Sequence, residues 1–425
     1  MLIEFAVTNF RSIREKQFLS MLPSARVRAA TNEQRLLKHS CYSNLPVLGT
    51  AVIYGANASG KSNMLSALEL LKVMVEEGHN ATLGEGVVKY NPFRMQQPAH
   101  LPTDFEIRFI AKDKLLYEYF LSFNAKEIVY EALYCYPKSR KVKLFERQHG
   151  HPISFGKYFK GEKKSIEIHT LPNQLFLSKA ANNNLEQLKE VYLFFKKHLR
   201  TYISHKTLYD EQLLSGIAKY MANNPDSNFT HNLTMLVSHA DTGIVELIGQ
   251  KIPHETDHFF ESADLYTIKT VHKVIQLEED RTENLLFDLR EESAGTRKLI
   301  ALGGLIMRVL DAGDVLVIDE LDKSMHTHLT KTLIKLFHST ESNPNKAQLI
   351  FATHDASLLG EGLFRFDQIN LSEKMEDGAT EISVVSDIPD LKQDFPLLEW
   401  YLTGKFGGTP LINEADMEFT FRKEQ

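Results

Sequence analysis

One run constrains the fold more than any other. Gly55-Ala-Asn-Ala-Ser-Gly60-Lys61-Ser62 fits the spacing G-x-x-x-x-G-K-S/T, the P-loop pattern. An apolar stretch, Ala51-Val-Ile-Tyr54, stands before it, and amphipathic sequence from Asn63 to about Val75 follows. Strand, glycine loop, helix is the context this pattern needs. Gly55 and Gly60 let the backbone close around an anion with no Cβ in the way. Ala56, Asn57, Ala58 and Ser59 supply successive backbone N–H groups, and Asn63 stands in the first helical turn. Loop amides and helix N-terminus therefore face one point. Lys61 brings a point charge suited to β- and γ-phosphates, and the Ser62 hydroxyl suits Mg²⁺. The run predicts a nucleoside triphosphate site in an α/β chain.

The rest of the composition bounds the setting. A chain of 425 residues has room for one large core or two domains. A net charge of −6 advertises neither nucleic acid nor an anionic membrane as a general partner. Two cysteines, Cys41 and Cys135, argue for a reducing compartment and against a disulfide framework. The opening Met1-Leu-Ile-Glu-Phe-Ala-Val lacks the basic start and cleavage site of a signal peptide. No stretch reaches the ~18 uncharged apolar residues of a membrane span. The expected location is the cytoplasm, with no membrane partner.

Along the chain, Leu2 to Asn9 alternates as a strand, and residues 20 to 46 read as loop. Gly78 to Pro102 is a long connection. Stretches at 104–110, 115–123, 128–133 and 142–145, rich in aromatic and β-branched residues, predict a β-meander. Leu185, Leu188, Val191, Tyr192, Phe195 and Leu199 recur at helical spacing, and helical texture continues to about residue 250. Strand returns at Leu265–His272. The expected division is an N-terminal lobe (1–150) with P-loop and meander, a mainly helical insertion (151–262), and a C-terminal lobe (263–425) carrying the second half of the site.

That second half is legible too. Val315-Leu-Val-Ile318 is a buried strand ending in Asp319-Glu320, the Walker B arrangement, in which Asp319 supports Mg²⁺ and Glu320 polarises the attacking water. Leu349-Ile-Phe-Ala352 is another buried strand, and it ends in Thr353-His354. A His there lies where ligands bind in a parallel sheet, placed to report the γ-phosphate. Between them, Lys323 to Ser339 reads as a helix. Upstream, Glu291-Glu-Ser-Ala-Gly-Thr-Arg-Lys298 opens an apolar helix running Leu299 to Leu310. Ser293 is its N-cap and Gly295 permits close approach; the run reads either as a capped helix alone or as a second phosphate-binding helix start. The P-loop already covers one face of the nucleotide, so this start would serve the other face from a second subunit.

These elements in this order resemble ATP-binding-cassette-type ATPases, in the branch with SMC proteins, RecF and OLD-family nucleases. Ile3-Glu-Phe and Asn9-Phe-Arg-Ser-Ile13 look like that branch's first strand. Ser293-Ala-Gly-Thr-Arg297 looks like its signature, Asp322 like its D-loop aspartate and His354 like its switch histidine. The fuller resemblance is to bacterial AAA family ATPases related to abortive phage infection. It rests on Glu292-Ser-Ala-Gly-Thr296, Ile318-Asp-Glu-Leu-Asp322, Arg365-Phe-Asp-Gln-Ile369 and Gly404-Lys-Phe-Gly-Gly-Thr-Pro410. The resemblance implies a P-loop NTPase with an ABC/SMC-type head, a β-rich lobe and a helical insertion. It implies ATP and Mg²⁺ sandwiched between two subunits, head to tail, in a dimer or higher homo-oligomer. Ala294 departs from the usual Ser-Gly-Gly, and Gln96 and Gln97 are positional candidates for a Q-loop glutamine.

Other chemistries fit less well. Asn345-Lys-Ala-Gln348 lacks the aspartate of a guanine-binding motif. A small-molecule kinase would leave the Ser293 motif unexplained. Glu361, Asp367, Asp377, Asp387 and Asp390 are scattered, without the carboxylate clustering of a nuclease metal site. The expected role is an ATPase sensor or scaffold in anti-phage defence whose effector, such as a nuclease, is a separate protein. The alternative is an SMC/RecF-type repair or processing ATPase contacting DNA or RNA. It rests on basic clusters at Lys138/Arg140/Lys141/Lys143, Lys157/Lys160/Lys163/Lys164 and Lys196/Lys197/Arg200. The pairs His149/His151, His254/His258 and His326/His328 lack companions at ligand spacing and read as surface residues.

Overall fold

The structure is a computed structural model. It describes the chain apart from residues 28–35, 40–41, 88–89, 96–100, 138–139, 204–206, 241, 253–264, 277–280, 324, 361, 390–395 and 406–425. The chain opens with β1 (Leu2–Thr8), β2 (Gln17–Ser20), β3 (Leu36–His39), β4 (Tyr42–Leu48), β5 (Thr50–Gly55) and α1 (Lys61–Glu77). A meander follows: β6 (Thr103–Ile110), β7 (Leu116–Phe123), β8 (Ile128–Cys135), β9 (Val142–Gln148) and β10 (Ser154–Phe155). Next come α2 (Lys163–Ile168), α3 (Phe176–Asn182), α4 (Glu186–Leu193), β11 (Leu199–Tyr202), α5 (Thr207–Asn223) and α6 (Asn228–Ser238). The strands β12 (Ile244–Lys251), β13 (Tyr266–Gln276) and β14 (Arg281–Asp288) lead into α7 (Ala294–Ala312). The last part holds β15 (Val315–Ile318), α8 (Thr327–His338), β16 (Gln348–Ala352), β17 (Ile369–Lys374), β18 (Thr380–Val384) and α9 (Leu397–Leu402).

A six-stranded sheet in the order β11-β15-β16-β5-β17-β18 forms the centre. Its first five strands are parallel, and β18 closes the edge antiparallel. Every residue of β5, β15 and β16 is buried. That is why these strands read as unbroken apolar runs: both faces are covered. Alternation still sorts them. Ala51, Ile53, Val315, Val317, Ile350 and Ala352 enter the core around α1. Val52, Tyr54, Leu316, Ile318, Leu349 and Phe351 enter the core beneath α7 and α8.

The second sheet is seven-stranded and antiparallel, in the order β10-β9-β8-β7-β6-β1-β2. Its inner face closes over α1, whose Met64, Leu65, Ala67, Leu68, Leu71, Met74 and Val75 are all buried. A helix pressed between two sheets needs apolar residues around much of its circumference, and α1 has them. A third core gathers α5, α6, β12 and β13 on the first turns of α7. There Gly304 lets α5 approach, because a Cβ on it would stand 2.3 Å from Ile217 Cδ1.

Several sequence expectations shift. The supposed loop at 20–46 holds β3 and most of β4, paired as a hairpin. The helix expected from Lys323 starts at Thr327, capped by the His326 side chain. Leu199, assigned to a helical stripe, heads β11 instead. A π-helical turn, Phe194–His198, ends the helix before it, and β11 joins the sheet edge beside β15. The insertion is therefore not wholly helical. β1 and β2 extend the meander sheet, a partnership no local pattern announces. Among the described residues no helix is long and apolar enough to cross a membrane.

Candidate nucleotide-binding site

Strand register assembles the site. Ile318 of β15 pairs with Phe351 of β16, and Ala352 of β16 pairs with Ile53 of β5. All three strands run the same way, so their C-terminal ends share one edge. The P-loop, Asp319-Glu320 and Thr353-His354 emerge there together, the edge where open parallel sheets bind ligands.

The loop is built around its glycines. A Cβ on Gly55 would lie 2.3 Å from the Ser372 carbonyl oxygen, and one on Gly60 would lie 2.1 Å from Thr380 Oγ1. Gly60 also has φ 110°, outside the range L-residues favour. It is the N-cap of α1, and no side chain caps that end. Lys61 is buried, and its Nζ donates to the carbonyls of Gly55 at 2.7 Å and Ala56 at 2.9 Å. Burial lowers its pKa to about 8, while Asp319, Glu320 and Asp322 pull it back up. The three acids are thus within electrostatic reach of the P-loop lysine. Asn57, Ala58 and Ser62 are exposed, Ala56 and Asn63 are half-buried, and Ser59 is buried.

Asp319 is 6% exposed, and its amide is held by the Tyr202 carbonyl of β11 at 3.1 Å. Glu320 has φ 53°, a left-handed conformation that costs a non-glycine residue roughly 1 kcal/mol or more. Its carboxylate is 3.1 Å from Lys323 Nζ. Asp322 follows, half-buried. His354 is exposed at the end of β16. The next residue, Asp355, caps the 3₁₀ turn Ala356–Leu359 through Ser357 N at 3.0 Å and accepts from Thr327 Oγ1 at 2.6 Å.

The Ser293 motif sits as a helix start. Ser293 Oγ accepts from Thr296 N at 3.0 Å and caps α7. Ser293 is exposed and Gly295 half-buried. Among the described residues, neither hydrogen-bonds the P-loop of its own chain. The motif is anchored from behind: Glu292 Oε1 accepts from Thr270 Oγ1 at 2.5 Å and pairs with His272 Nε2 at 2.7 Å, both on β13.

A clasp on the P-loop escaped sequence reasoning. Thr380 Oγ1 and Ser372 Oγ both donate to the Ser59 carbonyl, at 2.7 and 3.1 Å. Ser12 Oγ lies 2.7 Å from Thr380 Oγ1 and accepts from Asn63 Nδ2 at 2.7 Å. Arg11 Nη1 reaches Asn63 Oδ1 at 3.4 Å. Asn63, expected to touch ligand, thus ties α1 to the turn after β1. The signal was present in Phe10-Arg-Ser-Ile13, which sequence alone placed only at a strand end.

The residues fit a polyphosphate with its metal. The glycine cradle is one a Cβ would fill, a buried cation faces it, and Ser59 Oγ and Asp322 Oδ1 are buried without hydrogen-bond partners. The Ser62 hydroxyl and the Asp319 carboxylate are hard oxygen donors of the kind Mg²⁺ takes. Gln96 and Gln97 lie outside the described residues, as do Lys138, His254, His258, Glu361, Asp390 and most of Gly404–Pro410.

The basic clusters are partly engaged locally. Lys141 pairs with Glu118 at 2.5 Å, Lys143 with Glu146 at 3.0 Å and Arg200 with Asp314 at 3.5 Å. Lys163 lies over the Phe155 and Phe159 rings, and Lys196 over Tyr192. The His326 and His328 rings stack 5.3 Å apart at the start of α8. Among the described residues no group of three or more His, Cys, Asp or Glu is placed to hold a metal ion.

No curated protein matches this sequence. The SMC head domain from Thermotoga maritima is similar in structure, with a TM-score of 0.40 at 13% identity, covering 90% of this chain and 98% of that one. The Smc head domain from Pyrococcus furiosus, with an extended coiled coil and bound to the C-terminal domain of ScpA, gives 0.41 at 13% identity, covering 90% and 95%. The recombination mediator protein RecF with ATP gives 0.38 at 13%, covering 90% and 97%. A family model described as "AAA domain, putative AbiEii toxin, Type IV TA system" matches residues 51–360, from the P-loop strand to the turn beyond His354. With well over half its length inside that match, the chain belongs to this family of AAA domains.

Proposed function

We propose that this protein is an ATP-hydrolysing ABC/SMC-like head that acts as a nucleotide-gated sensor or scaffold in anti-phage defence. Its effector, such as a nuclease, is a separate protein. The observation that carries the ATPase reading is the meeting of Lys61 with Asp319, Glu320 and Asp322 at one edge of the parallel sheet. The defence role draws support from the family's description, which speaks of an AbiEii toxin and a toxin–antitoxin system.

Each residue has a task. Lys61 exchanges the Gly55 and Ala56 carbonyls for phosphate oxygens. Ser62 and Asp319 would hold Mg²⁺, which would supply charge neutralisation to the polyphosphate. Glu320 accepts a hydrogen bond from the attacking water and orients it. His354, at the end of the neighbouring strand, meets the γ-phosphate. Ser293, exposed at the start of α7, and Gly295 complete the site of a second copy, and Asp322 lies at that junction. ATP closes two heads; hydrolysis reopens them.

A mixing experiment tests the composite site. Lys61→Ala and Ser293→Arg are each expected to be inactive alone. In a mixed dimer one site keeps an intact P-loop and an intact signature. Mixing equal amounts should restore about a quarter of wild-type phosphate release, the statistical yield for exchanging head-to-tail dimers. No recovery from two folded, exchanging variants would remove the sandwich.

The lysine at the site also predicts a pH dependence. Its pKa of about 8 lies below the ordinary lysine value, so the folded protein releases this proton before the unfolded chain does. Stability therefore rises with pH from about 8 to the ordinary value, where the unfolded state binds more protons. Polyphosphate binding favours the opposite, charged form. ATP affinity should fall about tenfold between pH 7 and 9, and binding near pH 8 should take up a proton. Calorimetry in two buffers of different ionisation enthalpy checks this. A flat profile with no proton uptake would show that Lys61 is already fully charged in the free protein and would overturn the lowered pKa.

A further inference from the structure

Two parts of the site meet on one short helix. Tyr54 is the residue before Gly55, and its ring is fully buried. It packs edge-on against Tyr401 of α9, with centroids 5.6 Å apart and planes at 61°. The backbone N–H of Gly55, the first residue of the P-loop, faces the Tyr401 hydroxyl oxygen and counters part of the rise that burial gives its pKa. The Tyr54 hydroxyl reaches the other way and donates to the Asp355 carbonyl at 3.4 Å, one residue past His354. Leu398, on the same face of α9 as Tyr401, lies against Gly360, where a Cβ would be 3.3 Å from Leu398 Cδ2. Gly360 closes the turn that Asp355 opens. So α9 touches the base of the P-loop and the turn after the switch histidine at once.

A helix of six residues has no stability of its own. Its position follows the parts it packs against. We infer that Tyr401 is a positioning residue for the phosphate-binding loop, and that α9 shifts with the nucleotide state of the site. This rests on the nucleotide reading above. The helix carries its own reporter. Trp400, the chain's single tryptophan, neighbours Tyr401 and is half-buried, with Lys405 Nζ 4.2 Å from its ring centroid.

The test uses the full chain. Trp400 fluorescence is titrated with ATP-Mg²⁺ while binding is measured in parallel by equilibrium dialysis. A saturable change with the same midpoint by both methods is expected. Tyr401→Phe keeps the ring and removes the hydroxyl, so the Gly55 contact is lost with the packing intact. Its thermal midpoint should stay near wild type. Its ATP affinity should fall about two- to tenfold, as one lost hydrogen bond implies, with KM rising and kcat unchanged. Tyr401→Ala should lose more. Saturable binding by dialysis with Trp400 silent would overturn the coupling, and Tyr401→Phe binding as wild type would overturn the positioning role. A wild-type chain that binds no nucleotide would overturn the site reading itself, and this inference with it.

Discussion

Lys61→Ala is expected to lower ATP affinity by at least about a hundredfold, because two charge-assisted hydrogen bonds to phosphate are worth roughly 1.5–3 kcal/mol each. The side chain already lies at the loop. Lys61 is 5% exposed and its ammonium is held by the Gly55 and Ala56 carbonyls. Those bonds fold the charge over the loop that would take the phosphates, so little rearrangement separates the free and bound positions. Alanine removes the charge and leaves both carbonyls short of a donor. The free protein should therefore lose about 1–3 kcal/mol of stability as well. The two effects separate cleanly: thermal unfolding without nucleotide reads the second, and equilibrium dialysis of ATP at a temperature where the variant is folded reads the first. A folded Lys61→Ala that binds ATP like wild type would end the P-loop reading. Lys61→Met, which keeps the stem without the charge, should match alanine in binding while losing less packing.

How much of this was legible in sequence depends on how local each feature is. The P-loop, the acidic pair after Ile318 and the histidine after Thr353 are short runs with their own flanking strands, and spacing alone reveals them. The buried parallel strands were legible because both their faces are apolar. What sequence could not show is contact at long range. Ser12, Ser372 and Thr380 converge on the Ser59 carbonyl region from opposite ends of the chain. No pattern of period two or 3.6 encodes that meeting. The turn Phe10-Arg-Ser-Ile13 was noticed, yet its link to Asn63 needs the fold. β11 was hidden for another reason. Leu199 continues a helical apolar spacing, and only the π turn before it breaks the helix. The left-handed backbone at Glu320 was equally silent, because the residue there is not the glycine that such a φ favours. A left-handed backbone beneath the carboxylate that follows β15 is a feature structure adds to the motif.

Glu320→Gln should separate binding from turnover more sharply than any other change. Glutamine keeps the length, the φ of 53° and the hydrogen-bonding carbonyl, and loses only the charge that orients and polarises water. ATP binding should stay within about threefold of wild type, while phosphate release should fall by about 10²–10⁴, the span of general-base loss. The Lys323 contact at 3.1 Å is exposed on its lysine side, so its weakening should cost little stability. Light scattering then reads what the trapped ATP holds together. A monomer that doubles in mass with ATP-Mg²⁺ would support the sandwich, with Ser293 and Gly295 of one copy facing the nucleotide of the other, and make the protein a nucleotide-gated clamp. A large assembly indifferent to ATP would make it a preformed scaffold, with hydrolysis releasing a bound effector. A monomer at every nucleotide concentration would leave Ser293 as no more than the cap of α7. It would also return a small-molecule kinase to contention, since such an enzyme needs the P-loop but no second face. Normal hydrolysis by Glu320→Gln would shift the search for the water-orienting group to His354, an exposed polar side chain at that end of the sheet.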